Sequence, residues 1–132
     1  YGKLYNWAAV NDPRGLAPQG WHIPTKAEWT ILENKLGNYT VAGGKMKTTG
    51  TTIWTTPNTS ATNESGFAGL SGGYRHYSEG TRDVGLNGYW WSASKDGTSG
   101  NSWALKLEYN TDNSNIIKWH QRSGLSVRCI RD

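Results

Sequence analysis

Gly20-Trp21-His22-Ile23-Pro24-Thr25-Lys26-Ala27-Glu28-Trp29 is the stretch on which the reading of this chain turns. Thr25 and Glu28 have the three-residue spacing of a capping box, in which hydroxyl and carboxylate each satisfy a backbone N–H that the first helical turn leaves free. A helix therefore starts after Thr25. Trp29, Leu32 and Leu36 then recur at i, i+3 and i+7 on one apolar face, and Gly37 supplies a C-terminal stop.

Upstream, Leu4, Trp7, Ala8 and Val10 share helical spacing and predict a short first helix that ends before Asn11-Asp12-Pro13. Downstream of Gly37 the text turns Gly-, Thr- and Asn-rich and loses any helical period, which predicts long loops joining short strands. The candidate strands are 66–70, 88–93, 102–109, 115–120 and 125–130. Trp103, Leu105 and Leu107 alternate with Ala104, Lys106 and Glu108, as in a strand with one buried face. Asp96-Gly97, Ser99-Gly100, residues 110–114 and Ser123-Gly124 carry the turn chemistry. The expectation is an α+β domain over residues 1–132, with two short helices and a small, mostly antiparallel sheet.

Eight Trp, seven Tyr and one Phe supply much of the large apolar surface, so the core must be largely aromatic. Trp21, Trp29 and Trp54 are expected inside it. Trp90 and Trp91, adjacent in a strand, must point to opposite faces, and at least one belongs to the core. The formal charge of +4 is spread singly from Lys3 to Arg131 with acids between. No basic stripe tracks a phosphate backbone, so a nucleic-acid partner is not expected. No apolar stretch approaches the ~20 residues of a transmembrane helix.

Two segments resemble formylglycine-generating (sulfatase-modifying) proteins: residues 20–29, and the closing Gly124-Leu125-Ser126-Val127-Arg128-Cys129-Ile130-Arg131. Over nearly its whole length the chain resembles the Fibrobacter succinogenes major paralogous domain. The matching residues, in order, are Leu4-Tyr5-Asn6-Trp7, Ala42-Gly43-Gly44-Lys45, Thr62-Asn63-Glu64-Ser65-Gly66-Phe67, Gly72-Gly73-Tyr74-Arg75 and Gly88-Tyr89-Trp90-Trp91-Ser92. The resemblance implies a C-type-lectin-like fold on a secreted or cell-surface protein, in some members the variable protein of a diversity-generating retroelement. The family commonly carries a further N-terminal segment, and this chain begins after it, as a processed or a shortened member would.

Catalysis finds little foothold. Cys129 is the only cysteine, whereas the resembling formylglycine-generating enzymes use paired active-site cysteines to bind copper. It alternates with apolar neighbours and reads as a packed strand residue. His22, His76 and His120 stand apart from carboxylates and from one another in sequence, so no metal site follows from them. A structural histidine hydrogen bond is expected at His22, and Tyr74-Arg75-His76-Tyr77 reads as a polar, aromatic loop, solvated or reaching a ligand. Lectin-like loops often hold a structural calcium ion. Asn110, Asp112, Asn113 and Asn115 offer oxygens, but only Asp112 is charged, so a tight site is not expected.

The preferred reading is a non-catalytic recognition module whose ligand, a surface glycan or a protein, meets a face formed by residues 95–122. Asn101, Tyr109, Asn110, Asp112, Lys118, Trp119, His120 and Arg122 are its candidate ligand-binding residues. Trp119 would be the apolar anchor, and Lys118 and Arg122 would meet acidic or carbonyl groups. The alternative is an assembly subunit of a surface fibre, self-associating through exposed aromatics. An enzyme derived from the formylglycine-generating fold ranks behind both.

Overall fold

The capping box forms as its residues require. The computed structural model describes residues 1–98 and 100–132. In it the Glu28 N–H donates to the Thr25 hydroxyl at 3.2 Å, and the Thr25 N–H to the Glu28 carboxylate at 2.8 Å. The elements are α1 (Trp7–Val10), β1 (Trp21–His22), α2 (Lys26–Lys35), α3 (Tyr39–Met46), β2 (Tyr74–His76), β3 (Gly80–Arg82), β4 (Asn87–Lys95), β5 (Asn101–Glu108), β6 (Ser114–His120) and β7 (Ile130–Arg131). This is an α+β arrangement of short helices and antiparallel pairs. None of the described helices is long and apolar enough to cross a membrane.

The central sheet has the order β4-β5-β6, antiparallel, with Trp90 opposite Leu105 and Trp91 opposite Ala104. Because side chains alternate along a strand, the two tryptophans serve two cores. Trp91 packs with Trp7, Val10, Ile23, Tyr89, Ala104 and Leu125 on one face. Trp90 packs with Trp29, Ala42, Met46, Trp54, Leu105 and Leu107 on the other, beneath α2 and α3. Each buried indole withdraws roughly 150–250 Å² from water, worth about 4–6 kcal/mol at ~25 cal/mol per Å². The Trp7, Trp54 and Trp91 indole N–H groups donate to backbone carbonyls at 2.7–3.0 Å, so their burial leaves no unmet donor.

Several expectations need correction. Both faces of β5 are covered, so Ala104 is buried along with Leu105 and Leu107. Trp21 is not core: its side chain is 46 % exposed, on the two-residue strand β1 that pairs with β7. A third helix, α3, occupies the stretch read as loop, and it contains Gly43 and Gly44. The segment 66–70 is not a strand but a single bridge from Gly69 to Lys47. Residues 125–130 are likewise mostly irregular, laid beside β4 by reciprocal bonds from Ser126 to Tyr89 and Trp91. The β2–β3 hairpin lies outside every expected strand. The turn expected at Ser99-Gly100 lies in part outside the described residues.

Candidate functional site

The β5–β6 hairpin separates the eight expected ligand residues into two groups. Tyr109, Asn110 and Asp112 lie at its turn, while Asn101, Lys118, Trp119, His120 and Arg122 lie at or beyond its open end. Residues 113–117 stand between them, so that Lys118 lies up to about 20 Å along the chain from Asp112 at ~3.3 Å per residue. The two groups do not form one face.

The turn end is scaffold. Lys47 is fully buried, and its ammonium donates to the carbonyls of Thr59, Glu108 and Thr111 at 2.9, 2.9 and 2.8 Å. Burial pushes its pKa down to about 8, with Asp112 opposing. The three acceptors favour the charged form, since a neutral amine has only two N–H groups for them. The Tyr109 backbone is held by Thr59 and Leu86, its ring packs against the core, and the Asp112 carbonyl accepts from Gly44. Of the residues read as offering oxygens to calcium, Asn115 donates its Nδ2 amide to the Glu108 carboxylate at 3.3 Å, and the backbone carbonyls of Asp112 and Asn113 lie against α3.

The open end is different in kind. There the β2–β3 hairpin crosses to the segment after β6, and Arg75 and Gly124 exchange backbone bonds of 2.9 and 2.8 Å. This crossing brings Tyr77 onto His120, with ring centroids 4.7 Å apart and planes 29° from parallel. His76 lies 4.4 Å from the same ring, and the Arg122 guanidinium lies over it at 5.1 Å. Tyr77 is 47 % exposed, so the cluster faces solvent. Beneath it, Tyr74 packs edge-on against both Trp119 and Tyr89, at 5.0 and 5.2 Å. The Tyr89 hydroxyl donates to Asp83 at 2.6 Å, and burial together with that carboxylate raises its pKa.

Two of the expected roles change. Trp119 is half-buried among Tyr74, Tyr89 and the core, so it supports the cluster from below, and Tyr77 is the ring offered to solvent. Lys118 pairs with the shielded Asp96 carboxylate at 2.9 Å, which commits its charge within the chain. Asn101 lends its carbonyl to the Gln121 amide at 3.0 Å. His120 and Arg122 stand in the cluster. The sequence marks Tyr74-Arg75-His76-Tyr77 as a stretch able to reach a ligand, but not its meeting with His120 and Arg122, which only the fold supplies.

His22 links two carboxylates, Nε2 to Glu28 at 2.8 Å and Nδ1 to Asp132 at 2.7 Å. Distance along the chain hides Asp132 from a reading of the sequence. Cys129 is half-buried at a concavity of about 350 Å³ whose other lining residues include Tyr1, Tyr5, Trp90 and Arg128, with no carboxylate or imidazole among them. Burial pushes its thiol up, away from the reactive thiolate.

A small α+β domain carrying a solvent-facing stack of aromatic and basic side chains at one end of its sheet is the class that these features define. The family model of the Fibrobacter succinogenes major domain matches residues 1–131, and the chain belongs to that bacterial family. No curated protein and no solved structure matches it.

Proposed function

We propose that this domain is a non-catalytic recognition module, acting outside the cell, whose ligand face is the cluster of Tyr77, His76, His120 and Arg122. The observation that carries the proposal is the half-exposed Tyr77 ring, stacked on His120 with Arg122 above it. Recognition surfaces concentrate their binding energy in tyrosine, tryptophan and arginine held rigidly in place. Here the two-stranded hairpin, the Arg75–Gly124 bonds and the Trp119–Tyr74 packing hold them.

Four carboxylates with structural partners, and a thiol that burial keeps protonated, support a non-catalytic reading. Glu28 caps α2, Glu33 accepts from the buried Ser114 hydroxyl at 2.6 Å, Asp83 holds Tyr89, and Asp96 holds Lys118. Neither calcium nor another cofactor has a part in this reading.

Arrays of surface glycans and surface proteins, probed with the purified domain, test it. A ligand whose binding falls at least tenfold in Tyr77→Ala and in Arg122→Ala, both still folded, but not in Lys35→Ala, is the expected result. A ligand bound equally by all three variants would place the face elsewhere.

A further inference from the structure

We infer that the face takes an acidic saccharide, one bearing uronate carboxylates, an inference that rests on the recognition reading above. The charges and donors at the open end of the sheet carry it. Lys118 is paired with Asp96, and Arg82 with Glu79 at 2.7 Å. Arg75 and Arg122 are exposed, and neither has an acidic partner among the described residues. The two arginines are near one another: the crossing pairs Arg75 with Gly124, two residues beyond Arg122, and a Cβ on Gly124 would sit 3.3 Å from the Arg75 Cβ. Nearby acids do not answer them, since Glu79 is held by Arg82, and Asp83 by Tyr89 and Asn87.

The imidazoles add donors of fixed direction. Nδ1 of His76 accepts from the Ser78 N–H, and Nδ1 of His120 from the Arg122 N–H, each at 3.3 Å. An acceptor Nδ1 puts the proton of a neutral ring on Nε2. Both histidines are therefore set as Nε2–H donors beside Tyr77 in the cluster. The surface offers guanidinium and imidazole N–H groups in excess of acceptors, around one tyrosine ring. Its complement is an oxygen-rich, negatively charged ligand, as an oligosaccharide of uronates is.

A protein partner fits less well. Stable protein interfaces set an apolar core within a polar rim. Of the large exposed apolar side chains, Tyr77 is the one within the ring cluster.

The test uses the domain as it exists, with four probes in calorimetry at low and at physiological salt: oligogalacturonate, a neutral cello-oligosaccharide of equal length, a dextran sulfate oligosaccharide, which bears sulfate esters and no carboxylate, and poly-glutamate. Oligogalacturonate is expected to bind, to weaken with salt, and to lose at least tenfold in affinity in Arg122→Gln and in Arg75→Gln. The neutral sugar and the peptide should bind at least tenfold more weakly. Stronger binding of the sulfated probe, with the same dependence on both arginines, would overturn the uronate assignment in favour of sulfate esters. Equal binding of the neutral sugar, still lost in Tyr77→Ala, would overturn the acidic-ligand inference and leave the recognition reading standing. Equal binding of poly-glutamate would overturn it in favour of a protein partner. Failure of every probe would overturn it too, and the recognition reading would then rest on the array experiment alone.

Discussion

Gly43 packs so closely on the β5–β6 turn that a Cβ built on it would overlap the Asn113 carbonyl oxygen and come within 2.9 Å of that of Asp112. Its neighbour Gly44 meets the Ser60 carbonyl at 2.5 Å in the same sense and donates its N–H to Asp112. Helix α3 thus presents bare backbone to two loops, which fixes the turn end of the hairpin.

An alanine at position 43 separates local propensity from packing by the sign of its effect. In an open helix Gly→Ala is worth about 1 kcal/mol of added stability. Here the overlap is with backbone, which cannot rotate away, so Gly43→Ala should cost about 3 kcal/mol. Urea unfolding of the variant beside Asn34→Ala, an exposed change on α2, checks this. A gain in stability would mean that α3 stands off from the turn.

The same glycines explain why α3 is invisible in the sequence. Two successive helix-interior glycines argue against a helix on propensity, and only the loops packed against them, distant in sequence, reverse that preference. The capping box at Thr25 is legible because all its partners lie within three residues. The β5–β6 hairpin is legible because alternation and turn residues are also local. What stays hidden is whatever depends on a crossing: the β2–β3 hairpin, whose three-residue strands are too short to show a period, and the approach of Tyr77 to His120, 43 residues apart in numbering. The site is thus half legible. His120 and Arg122 stand out as binding residues, but the sequence offers Trp119 as the ring between them because Trp119 lies in the same segment.

Lys47 should behave as a structural cation. Replacing it by methionine keeps the bulk of the side chain but strands the Thr59, Glu108 and Thr111 carbonyls in a buried site without donors. Breaking such an arrangement on one side costs about 3 kcal/mol or more. Chemical unfolding of Lys47→Met should register that loss. Retention of the wild-type midpoint would show that water or another group satisfies those carbonyls.

The His22 bridge predicts a stability maximum in acid. Hydrogen bonds to Glu28 and then Asp132 raise the His22 pKa above its ordinary 6.5, so its contribution is complete below about that pH and fades as pH climbs through the raised value. The Thr25 N–H, first, and His22 lower the Glu28 pKa from 4.5, so the Glu28 contribution is complete above that value and fades as pH falls through the lowered one. Both are present between pH 4.5 and 6.5. From about pH 5.5 to about pH 8.5 the unfolding midpoint should drop in the native protein and drop less in His22→Ala. Parallel drops would mean that the bridge adds nothing.

Tyr77 and Trp119 should divide binding from stability. Trp119 packs on Tyr74 and Tyr89, at 5.0 and 4.9 Å between centroids, and rests on the core that includes Trp91. Truncating it leaves a cavity under the β2–β3 hairpin, and Trp→Ala changes in packed sites cost about 3–5 kcal/mol. Tyr77 is half exposed and touches mainly His76, His120 and Arg122, so its loss removes stacking worth about 1 kcal/mol. Urea unfolding of Trp119→Ala, Trp119→Phe and Tyr77→Ala should rank them in that light: a large loss for the first, partial recovery with phenylalanine, and near-native stability for the third. If Trp119→Ala were as stable as the native domain, its ring would not be a support, and Trp119 would regain its place as the residue that meets the ligand. If Tyr77→Ala unfolded the domain instead, the ring stack would belong to the core, and Tyr77 would present no recognition face to an acidic ligand.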